Sequence, residues 1–463
     1  MVFEHQNYAH ARRKCYGKLS MSTRVDRRAI STLALGNACY AAMQWFVLVL
    51  VARLTNQESV GEFRYAIALT APVFVLANLK FREVLTTDVL RQFSWHTYVI
   101  ARAGAVFVAT LVVAGVGIYR SWHDVPLLLA VCLMRVGDAF SDLAYGALQR
   151  DQHHRHVGRS LITRSLVTLL IFGGALALTR NVLVAACAHA AWFIFYATID
   201  FRAAQDALPA FFPNASTSSA QNEVATSILV PGSNRANLSA TGRLRALLVQ
   251  CWPLGVATSL ATLWANAAAF VLIDQPNGKR MVALLAAAQG FVATGQILMG
   301  ALVQTAMPAL ARFYVIRDRV AFRRQIKRMT MIAVTLGACG SLLSLVAGRW
   351  LLSITFGQAY APAAWTLTLS AIAATLVYGY LFVGASFNAM RRFRVQMPIH
   401  LVSTGIGVIA LLWLVPRYGL SGAGYAAIIC AGCELIAYRT VARFVEATEF
   451  NRPAVPVPKD GVA

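Results

Sequence analysis

The residues best able to do chemistry in this chain are charges set in places where charge is expensive. The stretch Leu133–Asp142 (LMRVGDAFSD) holds Arg135, Asp138 and Asp142 inside an otherwise apolar run. Spacings of three and four residues put all three on one helical face. Each would cost about 2.5–3.5 kcal/mol at the centre of a bilayer on the insertion scale. Two arrangements offset that cost. Either the three groups form a structural ion pair between helices, or they line a wet cavity in which Asp138 or Asp142 titrates or holds a coupling cation. Ser141 and Tyr145 share the same face.

Other polar groups repeat at helical spacing. Gln289, Gln296 and Gln304 lie roughly two turns apart and form one stripe along a single helix. Such a stripe suits hydrogen bonds to sugar hydroxyls, or contacts between helices. Glu434 sits within the last apolar block, where Arg439, Arg443 or a helix–helix contact would satisfy it. His189 and His400 read as packed polar residues. The cluster His153, His154 and His156 is interrupted by Arg155 and lacks acidic or cysteine partners, so no metal site is expected. Cys430 and Cys433 form a C-x-x-C inside an apolar block and read as small helix residues. No P-loop and no H-E-x-x-H occurs, so no cofactor and no enzymatic chemistry is expected.

The elements that must position these groups are transmembrane helices. Only 13% of the 463 residues are charged, against about 25% in a soluble domain. The apolar residues fall in blocks of the length that crosses a ~30 Å hydrocarbon core. Twelve spans are expected, at 31–52, 63–87, 99–119, 125–148, 160–178, 182–200, 247–273, 281–310, 329–348, 363–388, 397–415 and 422–444. The net charge of +23 does not point to nucleic acid, because the basic residues alternate by loop. With the N-terminus in the cytoplasm, 33 of the 42 lysines and arginines fall on the inside and 8 on the outside. Trp95, Trp122, Trp350 and Trp365 stand near span ends and read as interfacial anchors.

The expected fold is all-α and polytopic, with about twelve helices. Residues 1–30 form a basic cytoplasmic tail and 31–200 a first lobe of six helices. A cytoplasmic linker at 201–246 follows, then a second lobe at 247–444 and a cytoplasmic tail at 445–463. Six spans per lobe is an even number, so both lobes enter from the same side and form a parallel repeat. Weak matches support it. Tyr145 aligns with Val383 at an offset of 238, and Leu178 with Val415 at 237.

Three segments then carry a family resemblance. They are Ala52–Phe63 (ARLTNQESVGEF), Leu351–Ala363 (LLSITFGQAYAPA) and Leu414–Gly424 (LVPRYGLSGAG). Their order and placement at helix ends resemble the polysaccharide flippases of the multidrug/oligosaccharidyl-lipid/polysaccharide exporter superfamily, over residues 31 to about 444. Locally, Gly357 and Gly419 permit sharp reversals, and Pro416 suits a helix stop. The resemblance implies a V-shaped pair of six-helix lobes around a central cavity that opens alternately to each side. It implies an oligosaccharide on an undecaprenyl-type lipid pyrophosphate as substrate, with the tail left among the membrane lipids. A polysaccharide polymerase and chain-length machinery would be partners at the inner membrane, with no nucleic acid involved.

In related flippases of lipid-linked cell-wall precursors, an arginine of the second helix faces the cavity. The matching stretch is Asn78–Glu83 (NLKFRE), which makes Arg82 the first expected contact for pyrophosphate and Lys80 the second. Arginine suits phosphate because its planar fork donates two parallel hydrogen bonds. Snorkelling of both to the headgroups is the alternative. Arg135, Gln289 and Gln296 complete the expected substrate site, with Asp138 and Asp142 as expected ion-coupling residues. Two other functions fit the composition. One is a cation-coupled drug exporter of the same fold. The other is an integral-membrane polymerase or glycosyltransferase, which the short outside connections disfavour.

Overall fold

The computed structural model describes residues 27–87, 93–119, 124–207, 240–390, 392 and 395–451. Most of the expected terminal tails, most of the linker and Trp122 lie outside the described residues, while residues 445–451 of the expected C-terminal tail continue the last helix. The described chain is helical almost throughout. Its elements are α1 (Arg27–Leu54), α2 (Gln57–Asn78), α3 (Phe81–Thr87), α4 (Trp95–Tyr119), α5 (Val125–Arg150), α6 (His154–Thr179) and α7 (Val182–Ala207). Then come α8 (Ala240–Leu272), α9 (Gly278–Val315), α10 (Arg319–Thr355), a 3-10 turn (Gln358–Ala363), α11 (Ala364–Ala389), α12 (Gln396–Tyr418) and α13 (Leu420–Asn451).

Each expected span falls on a long helix, the second being α2 and α3 together. Among the described residues, ten spans are long and apolar enough to cross a membrane. The remaining two are α5, which carries Arg135, Asp138 and Asp142, and α8, whose apolar part is the shorter Thr258–Leu272. Large apolar side chains such as Leu170, Val346, Ile409 and Ile436 stand exposed on these helices. In water such surface would be a liability, whereas lipid solvates it. The linker is shorter than expected, since α7 runs to Ala207 and α8 begins at Ala240.

Helix ends follow local chemistry. Asn56 caps α2 by accepting from the Ser59 N–H at 2.8 Å. Gly357 and Gly419, both picked out in the sequence, have φ of 112° and 54° and turn the chain where a side chain would be strained. The break between α2 and α3 was not foreseen. Leu79 and Lys80 carry φ of 45° and 55°, a conformation that costs an L-residue roughly 1–2 kcal/mol. Packing holds it: Leu79 is buried, and Gly255 of α8 lies directly against it.

The two halves pack alike. In the first half α1 packs on α6, α2 on α4 and α5, α4 on α5, and α7 on α5 and α6. In the second, α8 packs on α12, α9 on α10 and α11, α10 on α11, and α13 on α11 and α12. These are the same pairs, counted from each half's first helix. Contacts between the halves also exchange: α1 meets α9, as α8 meets α2, and α2 meets α9. Below, the end holding the start of α1 is called the basic face, and the other end the opposite face.

Candidate functional site

Between the lobes lies a cavity of about 1520 Å³. At the opposite face the lobes are sealed together. Arg53 Nε donates to the Thr355 carbonyl at 2.8 Å, and Gln57 Nε2 to the Ala359 carbonyl at 2.6 Å. Lys279 pairs with Glu62, and lies 3.7 Å from Asp124. A Cβ on Gly61 would stand 1.9 Å from the Lys279 carbonyl oxygen, so only glycine allows this approach. Deeper in, Trp45, Phe291 and Phe356 meet edge to face with centroids 6.0–6.3 Å apart. Toward the basic face the cavity wall runs down to Gln396 and Met397, the first residues of α12.

The first lobe supplies cations to the wall. Arg64 of α2 and Arg135 of α5 both line the cavity. Among the described residues Arg135 makes no ion pair or hydrogen bond, and Arg64 reaches only Gln289 Oε1, at 3.4 Å across the lobes. Asp138 also lines the wall but is committed elsewhere. It accepts from Tyr40 at 3.0 Å and from Arg164 of α6 at 2.9 Å. The Arg164 guanidinium is 1% exposed and stacks 3.6 Å above the Phe193 ring. His189 of α7 sits beside them, buried, with neither ring nitrogen hydrogen-bonded.

The second lobe supplies neutral donors and one acid. Gln289 and Gln296 of α9 line the cavity, while Gln304, the third of the expected stripe, does not. Glu434 of α13 accepts from His400 Nδ1 at 2.8 Å, from Ser403 Oγ at 3.2 Å and from the Tyr380 hydroxyl. His400, half exposed, and Glu434 both line the cavity. Glu434 is therefore not matched by Arg439 or Arg443, because a histidine one helix away reaches it first.

The expected pyrophosphate contacts on the second span sit apart from this wall. Arg82 Nη1 pairs with Asp142 at 3.0 Å, and its Nε donates to Gln149 at 3.1 Å. Buried Arg102 approaches Asp142 at 3.6 Å and donates to Asn78. Lys80 pairs with Glu83 at 2.6 Å. In this conformation Arg82, Lys80 and Asp142 do not line the cavity. The break at Leu79 and Lys80 turns this segment away and lays it on α5. The shared face of α5 is thus divided: Arg135 and Asp138 face the cavity, and Asp142 serves the arginine pair. Trp95 is also corrected. It is buried against Phe201 at a ring distance of 5.3 Å and anchors nothing at a surface.

Sequence reasoning missed Arg64, Arg164 and the His400–Glu434 pair. Arg64 and Arg164 each lie well inside a helix. For Arg164 a signal existed: like Arg135, it is a lone arginine with apolar residues on both sides.

Two six-helix lobes joined at one face around a central cavity define the class: this is the fold of MATE transporters of the MOP superfamily. An inward-facing MATE-family transporter of that superfamily superposes with a TM-score of 0.62 at 13% identity, covering 90% of this chain and 95% of the other. A single-site variant of the Vibrio cholerae MATE transporter VcmN superposes at 0.58 and 14% identity, over 90% and 96%. By sequence the chain is similar to the capsular polysaccharide biosynthesis protein CapF of Staphylococcus aureus, 23% identical over 404 residues, 87% of this chain and 95% of that protein. No protein-family model matches the chain.

Proposed function

We propose that this protein is an alternating-access flippase for an isoprenoid-pyrophosphate-linked oligosaccharide. The observation that carries the reading is the charge of the cavity wall. Among the described residues Arg64 and Arg135 are cations with no carboxylate partner, while the acids Asp138 and Glu434 already have theirs. A pyrophosphate would offset the cost of keeping two guanidinium groups at membrane depth. Gln289 and Gln296 offer donors and acceptors to sugar hydroxyls. The likeness to a capsular polysaccharide biosynthesis protein agrees with such a cargo. The basic face would be cytoplasmic by the positive-inside rule. Lys80 and Arg82 then lie where headgroups first arrive, and would engage the pyrophosphate once their partners let go. An ion gradient would supply the energy, with Asp138 better placed on the wall than Asp142.

Binding of radiolabelled undecaprenyl pyrophosphate to the detergent-purified protein tests this reading. R64A and R135A each remove a charged hydrogen bond, worth about 1.5–3 kcal/mol, so affinity should fall about 10- to 100-fold. The uncharged polyprenol should bind no better to wild type than to the variants. Tighter binding of a lipophilic cation than of the pyrophosphate would reverse the reading in favour of drug export.

Rocking of the lobes has its own check. A side chain at position 61 cannot fit against the Lys279 carbonyl. Gly61→Val should therefore part the seal and lengthen spin-label distances across the opposite face. Unchanged distances would mean that the seal is not what sets the conformation.

A further inference from the structure

The second lobe holds a hydrogen-bonded chain that ends in the cavity. From Glu434 it runs through His400, whose Nε2 lies 2.9 Å from the Tyr438 hydroxyl. Tyr438 lies 3.2 Å from Gln396 Oε1, and Gln396 Nε2 donates to Asn388 Oδ1 at 2.6 Å. The chain joins three helices, α11, α12 and α13.

Protons can be counted along it. The Nδ1–H of His400 donates to the Glu434 carboxylate. Tyr438 has one proton. With the amides as placed, that proton goes to Gln396 Oε1, so Nε2 must carry its own proton to bond the phenol oxygen. His400 is then an imidazolium beside a carboxylate, and every link is filled. Turning both amides over gives a second complete chain. Gln396 now donates to Tyr438, and Tyr438 donates to a bare Nε2. His400 is then neutral, and the site carries one negative charge. Amide orientation is not fixed by heavy-atom positions, so both fillings fit the same backbone.

The surroundings suit a titrating ring. Tyr380 faces the pair from α11, Ser403 from α12, and Tyr438 and Cys430 from α13, with Cys433 behind Cys430. Among the described residues no lysine, arginine or further carboxylate bonds to either side chain. His400 is 51% exposed, so water in the cavity can reach it.

We propose that His400 and Glu434 form a proton-binding site in the second-lobe wall. Its loading reverses the direction of the chain through Tyr438, Gln396 and Asn388 without breaking a helix contact. The inference does not rest on the identity of the cargo.

The test is 15N NMR of the whole protein with labelled histidine, in lipid, from pH 5 to pH 8. H400Q assigns the signal, and H400N does so if H400Q fails to fold. The expected result is a ring whose two nitrogens are both protonated at the acid end and unequal at the basic end. In E434Q the midpoint should differ from that of wild type, because His400 has lost its carboxylate partner. A His400 ring that stays in one protonation state across the whole range overturns the proposal. So does a midpoint indifferent to Glu434.

Discussion

Each lobe carries an acid on its cavity wall, and the lobes answer that acid differently. In the first, Asp138 is held by Arg164 of the fifth span and by Tyr40. In the second, Glu434 is held by His400 of the eleventh span and by Tyr380. Arg164 and His400 are 236 residues apart, close to the offsets of 237 and 238 that relate the two halves. A guanidinium does not lose its proton in a protein, whereas an imidazole does so near neutral pH. The same place in the repeat is therefore a permanent charge in one lobe and an exchangeable one in the other. On the proposed reading, the first lobe would offer a constant positive wall to an anion, and the second would change its charge as it loads a proton.

The comparison breaks most visibly at the fixed pair. Asp138→Leu would leave Arg164, 1% exposed, without its carboxylate. Stranding a buried charge costs about 3–5 kcal/mol. Denaturation in mild detergent should show a loss of that size. The double variant with Arg164→Leu as well should recover most of it, because an apolar pair replaces an ion pair. If the single and double variants are equally unstable, Arg164 matters for its stacking on Phe193 rather than for charge.

A smaller effect sharpens the comparison from the other side. His400→Arg would give the second lobe the first lobe's chemistry. The pair with Glu434 should persist, but the link could no longer titrate. In wild type, exchange of amide hydrogens over residues 396–403 should change about fivefold as the site loads, after correction for intrinsic rates, on the order of 1 kcal/mol. In H400R that dependence should vanish. If it persists unchanged, the titrating group lies elsewhere, and the two lobes differ less than their residues suggest.

This asymmetry explains what was legible in the sequence. Spans were readable because lipid requires unbroken apolar length, a one-dimensional property. Arg135 and Asp138 stood out because they interrupt that length. Gly357 and Gly419 were readable because a reversed backbone selects glycine. Partners were not readable. Asp138 meets Arg164 and Glu434 meets His400 across helix contacts, which spacing along one helix cannot reveal. That Arg82 stands off the cavity wall was not readable, because the break at Leu79 and Lys80 carries no glycine or proline to announce it. Packing against Gly255 of α8, far along the chain, sustains that break.

The smallest effect concerns the neutral groups that bridge the lobes. Gln289 stands on the second lobe and takes a 3.4 Å contact from Arg64 of the first. Gln296, two turns further along α9, has no such duty. On the proposed reading each would offer an amide to a sugar, and one neutral hydrogen bond nets about 0.5–1.5 kcal/mol. Q296A should therefore weaken binding of a lipid-linked oligosaccharide about 2- to 10-fold, and leave the bare lipid pyrophosphate untouched. Q289A should weaken both, because it also removes the hydrogen-bond partner that Arg64 has among the described residues. If Q289A spares the bare pyrophosphate, Arg64 needs no steadying. The first lobe would then hold its anion without help from the second.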